Sequence, residues 1–347
     1  MNRPPESFVR ATVRPLKAYG PPRDPAKVAL HLNESPSDVA DELKKALADE
    51  FAAMDWSRYP ITEGSKLAAD VADACGVDPA SVLVGNGSNE LLQLLLLACV
   101  EPGDKVVVVA PSFALYGLQA AAMGARVVEV PLRSGESFRF PVGELIAHSR
   151  DAKLVLIGSP NNPTGTVLSL LQLEELASGV PCLLGIDEAY REFCGQDFAP
   201  PLARHERLVL FRTFSKAYAG ASLRVGYMLA APALCAELRK VQLPYNLSTP
   251  ACLIARALVK RPEIVAGRAL LVARERDRVA TAMREMGFKV YPSGANFLLF
   301  DADQRLHAKL FERGVLIRAY PALGALRVSI GAPELNDAFL SELARCR

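Results

Sequence analysis

A lysine and an arginine stand eight residues apart after a predicted strand, at Lys216 and Arg224. A lysine in such a position is usually a solvated charge, but two polar segments follow earlier apolar runs, at 159–165 (SPNNPTG) and 186–190 (IDEAY). Ligands of open α/β sheets bind at the edge where the carboxyl ends of the strands meet, so we expect these segments to converge there. Together they offer an amine that can react with a carbonyl group, a carboxylate, and several hydrogen-bond donors.

A fourth polar segment, 85–90 (GNGSNE), joins a predicted strand to an apolar helix that begins near Ser88. Its glycines let backbone N–H groups approach an anion, and a helix start carries partial positive charge, so a phosphate fits there. The dinucleotide pattern G-x-G-x-x-G fails because Glu90 occupies the place of the third glycine, and no P-loop lysine follows. The serine-hydrolase elbow G-x-S-x-G is also missing from the sequence. A phosphate cradle with a lysine and a carboxylate matches what pyridoxal 5′-phosphate requires.

The elements that must position these side chains alternate between short apolar runs and amphipathic stretches. This alternation predicts an α/β fold whose largely parallel sheet is buried on both faces by helices. From about residue 246 the pattern predicts a smaller α+β unit, which gives a large domain at 45–245 and a small domain formed by 1–44 and 246–347. A helix capped by Ser37 is expected in the first segment. The predicted strands cover 81–84, 105–110, 125–130, 154–158, 182–186, 208–212, 224–229, 296–300, 315–318 and 326–330. The predicted helices cover 89–100, 114–123, 169–177, 249–259, 262–286, 303–313 and 333–346.

The composition excludes several classes of protein. The chain has 347 residues, half of them hydrophobic, which at ~150 residues per domain predicts about two folded domains. A net charge of +2 is no footprint for nucleic acid or an anionic membrane. The amino terminus lacks the apolar core of a secretory signal, so we expect a soluble, cytoplasmic protein. Seven cysteines without a C-x-x-C pair predict free thiols, and four scattered histidines predict no metal site.

The order N-N-P-T-G, D-E-A-Y and S-K, with an arginine eight residues on, resembles the class II, fold-type I pyridoxal-phosphate aminotransferases. More narrowly, the chain is similar to the histidinol-phosphate aminotransferase family over nearly its whole length. That narrower resemblance depends on the segments 32–36 (LNESP), 58–60 (RYP), 85–90 (GNGSNE), 244–248 (PYNLS) and 326–331 (LRVSIG). It implies a pyridoxal 5′-phosphate enzyme with a large, mostly parallel sheet domain and a smaller α+β domain.

The resemblance also implies roles for individual residues. Lys216 would attach the cofactor as a Schiff base and move a proton, and Asp187 would pair with the pyridine nitrogen. Asn162 and Tyr190 would donate hydrogen bonds to the phenolic oxygen of the ring, although an Asn-Pro turn is the simpler interpretation of Asn162 alone. The residues expected around the cofactor's phosphate are Gly87, Ser88, Asn89, Thr213, Ser215 and Arg224.

Two aromatic residues extend this expectation to the cofactor ring and to a second subunit. Phe113 falls where the family usually has a tyrosine stacked on the cofactor ring. Phenylalanine can still stack on the ring, but it cannot make the hydrogen bond of the tyrosine hydroxyl. Tyr59 would reach the cofactor phosphate of a neighbouring subunit, which makes a homodimer part of the site. Considered without the family, Tyr59 is equally an interface or core aromatic.

The substrate side is expected to be cationic. Arg327 would clamp a substrate carboxylate, although alternation along its strand could equally expose it as a surface charge. Because both expected substrates are anionic and must use the same place, we nominate further donors beside Arg327, namely Arg318, Tyr19 and Asn33. Arg318 could equally be a solvated strand end. Ser35 replaces the asparagine that is usual in the family, which removes one expected substrate contact.

The resemblance implies transfer of an amino group between L-histidinol phosphate and 2-oxoglutarate, a step of histidine biosynthesis. An aromatic or broad-range amino acid aminotransferase shares every catalytic residue and stays open. Decarboxylation of threonine phosphate is a weaker alternative because 31–35 (HLNES) lacks a glycine-rich histidine segment. A regulator built on this fold is disfavoured because the fold occupies the whole chain, which leaves no room for a DNA-binding domain.

Overall fold

The computed structural model describes residues 3–20 and 24–346, and its centre is a large β-sheet. The strands within the described residues are β1 (Val28–Ala29), β2 (Val82–Gly85), β3 (Lys105–Ala110), β4 (Arg126–Pro131), β5 (Leu154–Gly158), β6 (Leu183–Asp187), β7 (Leu208–Thr213), β8 (Gly226–Ala230), β9 (Phe297–Asp301), β10 (Val315–Leu316), β11 (Arg318–Tyr320) and β12 (Ala325–Ser329).

Helices cover both faces of this sheet and build most of the carboxyl-terminal third. They are α1 (Asp41–Ala52), α2 (Glu63–Cys75), α3 (Ser88–Cys99), α4 (Leu115–Ala122), α5 (Val142–Ser149), α6 (Leu170–Gly179), α7 (Pro232–Arg239), α8 (Thr249–Val259), α9 (Pro262–Glu285), α10 (Gln304–Glu312) and α11 (Pro333–Cys346).

The seven-stranded sheet has the order β2-β8-β7-β6-β5-β3-β4. Only β8 runs antiparallel to its neighbours β2 and β7, and the other pairings in this sheet are parallel. The predicted α/β fold with a mostly parallel sheet is therefore confirmed. The register places Gly158 of β5 beside Asp187 of β6, and Asp187 beside Phe211 of β7. Because these strands end together, the polar segments that follow them meet at one edge.

Alternate residues of each central strand enter two separate hydrophobic cores. Val107 and Val109 of β3 belong to the core under α2, α5 and α6, whereas Val106 and Val108 belong to the core under α3 and α4. Successive side chains of a strand point to opposite faces, so a continuous apolar run satisfies both cores. This two-sided burial holds the strand ends rigidly, as a site at the sheet edge requires.

The carboxyl-terminal part forms a second, smaller layer. Strands β11, β12 and β9 make an antiparallel sheet in that order, with α10 packed against β11 and α9 against β9. The amino-terminal segment joins it, since β1 pairs in parallel with β10 and the amide of Ser329 donates to the carbonyl of Leu30 at 2.9 Å. Helix α8 packs against α2 of the first layer, with an ion pair of 2.6 Å between Arg256 and Asp70. The division of the chain after residue 245 stays a prediction.

Two local expectations were wrong. The helix predicted to be capped by Ser37 begins at Asp41, and Ser37 instead accepts a hydrogen bond of 3.1 Å from Arg268 on α9. The strand predicted over 315–318 is divided at Ile317, because Val315 and Leu316 pair with β1 whereas Arg318 begins the pairing with β12. In both cases a partner distant in sequence decides the local conformation.

All seven cysteines are free thiols. Within residues 3–20 and 24–346, none of the helices is long and apolar enough to cross a membrane.

Candidate active site

A cavity of about 360 Å³ opens at the carboxyl edge of the seven-stranded sheet, between that sheet and the second layer. This volume lies in the range of small-molecule sites. Fourteen of the sixteen residues singled out from the sequence line it. They are Tyr19, Asn33, Ser88, Asn89, Phe113, Asn162, Asp187, Tyr190, Thr213, Ser215, Lys216, Arg224, Arg318 and Arg327.

Lys216 follows β7, and its amine donates a hydrogen bond of 3.0 Å to the carbonyl of Leu32. The amine also lies 5.7 Å from the centre of the Tyr190 ring. Burial in the cavity, followed by the positive charge of Arg327, lowers the pKa of this amine to about 8. A substantial fraction of the amine is therefore neutral near physiological pH, which is the form that acts as a nucleophile or a base.

Asp187 ends β6, and each of its carboxylate oxygens accepts one hydrogen bond. The hydroxyl of Tyr116 donates at 2.7 Å and the backbone amide of Ala189 at 3.0 Å. Removal from water raises the pKa of Asp187 to about 6, and the bond from Tyr116 is the main opposing effect. The carboxylate is thus charged at neutral pH, in an environment that favours a cationic partner.

Tyr190 and Asn162 are neighbours in the cavity. The side-chain amides of Asn33 and Asn162 donate to the Tyr190 hydroxyl at 3.0 and 3.4 Å. Burial raises the pKa of Tyr190 to about 12, so its hydroxyl stays protonated and can donate in turn. Asn33 also bonds Ser329 through both its backbone amide and its side-chain oxygen. Asn33 therefore connects the Tyr190 hydroxyl to Ser329 on β12.

Arg327 is 5% exposed, which excludes the interpretation as a surface charge. Its guanidinium donates to the side-chain oxygen of Asn162, to the Tyr320 hydroxyl at 3.1 Å and to the carbonyl of His31 at 2.7 Å. Its Nε is buried without a hydrogen-bond partner among the described residues. No carboxylate pairs with it there, so this cation is available to an anionic ligand.

The segment between β2 and α3 has the geometry of an anion cradle. Gly87 precedes α3 with φ of 77°, and the amides of Ser88 and Asn89 open the helix without partners inside it. Arg224 reaches across, close enough that a Cβ on Gly87 would lie 2.7 Å from its guanidinium. Arg224 also donates to the Ser215 hydroxyl at 3.3 Å. Gly87 does not line the cavity itself, but its missing side chain admits Arg224.

Two aromatic residues predicted to contact the cofactor lie in different places: Phe113 lies in the cavity and Tyr59 does not. Phe113 lies in the cavity wall, with the Tyr19 ring edge-on at 5.6 Å. Tyr59 lies outside the cavity, 74% exposed, and stacks on Tyr245 at 4.8 Å. Within one chain, therefore, Tyr59 does not take part in the site.

Sequence reasoning missed two tyrosines and a backbone contact. Tyr116, the partner of Asp187, lies in the first turn of α4, and its ring meets that of Phe113, which precedes the helix, edge-on at 5.6 Å. Tyr320, the partner of Arg327, follows Arg318 by two residues on one strand, a spacing that puts both on one face. The carbonyl of Leu32 carries no signal in the sequence, because any residue has one.

No three His, Cys, Asp or Glu side chains come together as a metal site in the part of the chain that the structure describes. The groups gathered in the cavity are an amine, a carboxylate, aromatic rings and cations, and this set suits an organic cofactor and an anionic substrate.

The fold and the site together define an aminotransferase, and the chain belongs to the class I and II aminotransferase family, which matches residues 25–344. The histidinol-phosphate aminotransferase of Caldanaerobacter subterraneus subsp. tengcongensis is 33% identical over 348 residues, covering 97% of this chain and 98% of that protein. The histidinol-phosphate aminotransferase of Thermococcus kodakarensis is 35% identical, covering 97% of both. The crystal structure of the Sinorhizobium meliloti histidinol-phosphate aminotransferase in complex with pyridoxal 5′-phosphate superposes with a TM-score of 0.88 at 26% identity, covering 98% of this chain and 97% of that one. The family resemblance stated from the sequence is confirmed.

Aminotransferases of class I and II depend on pyridoxal 5′-phosphate, and the cavity fits that group. A Cβ on Gly226 would collide with the amide of Ser88, so glycine there keeps the anion cradle open. Lys216 offers an amine, Asp187 a charged partner for a ring nitrogen and Phe113 an apolar face. These are the donor set and the space that a phosphorylated pyridine aldehyde needs.

Proposed function

We propose that this protein is a histidinol-phosphate aminotransferase, which transfers an amino group between L-histidinol phosphate and 2-oxoglutarate in histidine biosynthesis. The observation that carries this proposal is the pair Arg318 and Arg327, which line the same cavity as Lys216. Both substrates are anionic, and one of them is a phosphate ester. The curated relatives that cover nearly the whole chain carry this activity in their names.

When bound, pyridoxal 5′-phosphate supplies an aldehyde for the amino group and a ring that accepts electrons. Lys216 would hold it covalently and, once its amine is free, would take the proton from the substrate carbon that bears the nitrogen. The pKa of about 8 supports this assignment, since a neutral amine is needed for both tasks.

Asp187 would hold the proton on the ring nitrogen, because a carboxylate in a poorly solvated place stabilises a neighbouring cation. Tyr190 and Asn162 would donate hydrogen bonds to the phenolic oxygen. Tyr190 suits this role because its hydroxyl is protonated and already held by Asn33 at 3.0 Å. Phe113 would stack on the ring.

The phosphate of the cofactor would lie against the amides of Ser88 and Asn89, with Arg224 and Ser215 as further donors. Thr213 would act through Ser215, whose hydroxyl and amide lie 3.0 and 3.1 Å from the Thr213 hydroxyl. Arg224 is the natural anchor because a guanidinium can bind a phosphate through two parallel hydrogen bonds.

The substrate's acidic group would lie between Arg327 and Arg318, with Tyr19 beside it. Arg327 would receive a carboxylate of 2-oxoglutarate or the phosphate of histidinol phosphate, using the buried Nε that has no partner among the described residues. For Asn33 we replace the predicted substrate contact by a positioning role, because its side chain bonds Tyr190 and Ser329.

We further propose a cytoplasmic homodimer in which Tyr59 of each subunit contacts the cofactor phosphate of the other. The support is an exposed apolar surface on 56–61 and 241–245, joined by the stack of Tyr59 on Tyr245. Its exposed side chains are Trp56, Tyr59, Ile61, Val241, Leu243 and Tyr245. A contiguous apolar surface of this kind is typical of an interface. Free thiols, as at all seven cysteines, are typical of a reducing compartment.

The test of substrate is a comparison of amino donors with 2-oxoglutarate as the acceptor. We expect histidinol phosphate to be preferred over unphosphorylated histidinol and over phenylalanine. Equal rates with histidinol and its phosphate would support the broad-range aminotransferase instead. Release of carbon dioxide from threonine phosphate would support the decarboxylase.

A further inference from the structure

Tyr116 lines the cavity beside Asp187 and contacts its carboxylate. It belongs to α4, is 3% exposed, and its hydroxyl lies 2.7 Å from one oxygen of the Asp187 carboxylate. The other oxygen accepts from the amide of Ala189 at 3.0 Å. Among the described residues, the Tyr116 hydroxyl has no other hydrogen-bond partner. The side chain therefore directs its one donor at one carboxylate oxygen.

The neighbouring backbone leaves room for this hydroxyl. Gly158 is the partner of Asp187 in the adjacent strand, and a Cβ on Gly158 would lie 3.1 Å from the Tyr116 oxygen. The Tyr116 ring also meets Phe113 edge-on, with the ring centres 5.6 Å apart. One side chain thus contacts both the carboxylate at the cavity floor and the aromatic wall.

The surroundings of Asp187 act on its pKa in opposite directions. Removal from water is the largest influence and raises its pKa to about 6, and Glu188 adds to this increase. The hydrogen bond from Tyr116 is the largest influence that lowers the pKa, ahead of the Ala189 amide and the charge of Lys216. Tyr190, protonated at neutral pH, is another titratable side chain that interacts with Asp187. Loss of the Tyr116 donor would leave the desolvation of Asp187 less opposed.

We propose that Tyr116 is a positioning residue that fixes the Asp187 carboxylate, in its charged form, for the protonated ring nitrogen of the cofactor. The proposal rests on the proposed function only in requiring pyridoxal 5′-phosphate, and not on the identity of the amino donor. Tyr116 acts through Asp187 and need not touch the cofactor itself.

The decisive variant is Tyr116→Phe, which removes one oxygen and keeps the ring packing. The affinity of the apoprotein for pyridoxal 5′-phosphate is measured by absorbance from pH 5 to pH 9. In the wild type the affinity is expected to fall as Asp187 becomes protonated, near pH 6. In Tyr116→Phe the fall is expected about one pH unit higher, because a hydrogen bond to a charged group contributes roughly that much. Above that pH the two proteins should bind equally, since Asp187 is charged in both.

Recovery at high pH distinguishes this role from a structural one, because a packing defect does not disappear on deprotonation of an aspartate. A second readout is kinetic: kcat for glutamate is expected to fall about threefold at pH 6.5, because the charged fraction of Asp187 falls by about that factor, with KM little changed. The matched control is Tyr227→Phe, which removes a buried hydroxyl of β8 that does not line the cavity. It should bind the cofactor as the wild type does at every pH.

Superposable affinity profiles for the wild type and Tyr116→Phe would overturn the proposal, as would an equal shift in Tyr227→Phe. If Tyr116→Phe fails to fold, Gly158→Ala tests the same contact by crowding the hydroxyl, with the same shift expected. A wild type that binds the cofactor but ignores histidinol phosphate would refute the substrate assignment alone. A wild type that does not bind the cofactor would refute both.

Discussion

Arg318 and Arg327 are directly opposite each other on the antiparallel strands β11 and β12. Like charges in opposite positions destabilise a sheet, and an anion bound between them, as proposed for the substrate, would offset that cost. Arg327 is buried and reaches Asn162, whereas Arg318 is only partly buried. The register of two short strands therefore sets the charge of the substrate side.

Replacement of Arg327 by alanine is expected to lower kcat/KM about 10- to 100-fold for both histidinol phosphate and 2-oxoglutarate. Both substrates would lose the charge-assisted hydrogen bonds of one of the two guanidinium groups proposed to hold their acidic group. Steady-state kinetics of each half-reaction measures the effect. The control is Arg345→Ala, which removes an exposed arginine paired with Glu342 and should leave both values unchanged. A loss confined to one substrate would show that the other has its own anion site.

Borohydride reduction of the holoenzyme should attach the cofactor to a peptide that contains Lys216. The lowered pKa makes this amine more reactive than the exposed lysines, of which Lys240, paired with Glu237, is a suitable comparison. Mass spectrometry of the digest locates the label, and Lys216→Ala should fold yet lose turnover and label together. Label on Lys240 or on any other lysine would refute the assignment.

Lys216→Met should stabilise the apoprotein at pH 7, by on the order of 2 kcal/mol. The pKa of Lys216 is about 8 in the folded state against 10.5 as an ordinary value, so folding disfavours its charged form. Below pH 8 both folded and unfolded chains carry the charge, and the wild type bears the full penalty. Between pH 8 and 10.5 only the unfolded chain remains charged, so the wild type gains stability and the advantage of the variant disappears. Urea unfolding across this range checks the sign, and a constant difference would contradict it.

A mixture of Lys216→Ala and Tyr59→Ala proteins should recover activity if the sites are shared between subunits. Each protein alone is expected to be inactive, but a hybrid dimer holds one site with both residues intact. Random exchange at equal concentrations should restore about a quarter of the wild-type activity. Each variant incubated alone is the control. A monomer in sedimentation at assay concentration would remove the basis of this prediction.

The sequence by itself determined the α/β class, the family and the residues that follow the strand ends, including Asn162, Asp187 and Lys216. These are readable because apolar runs mark strands buried on both faces, and polar segments after parallel strands meet at one edge. The order of residues along the chain is enough for this inference, because each polar segment directly follows the strand that positions it.

Only the tertiary structure decided which side chains act on one another. The contact of Tyr116 with Asp187 joins residues 71 positions apart, and the amine of Lys216 finds the carbonyl of Leu32 at a separation of 184. Ser37 accepts a hydrogen bond from Arg268 instead of capping a helix. The strand predicted across Ile317 is divided because β1 pairs with the residues before it and β12 with those after it. Arg327 is buried because the second layer packs against the sheet. The same packing leaves its Nε without a hydrogen-bond partner among the described residues. Side-chain direction, burial and strand register are set by contacts between distant segments, and no local pattern of residue types encodes them.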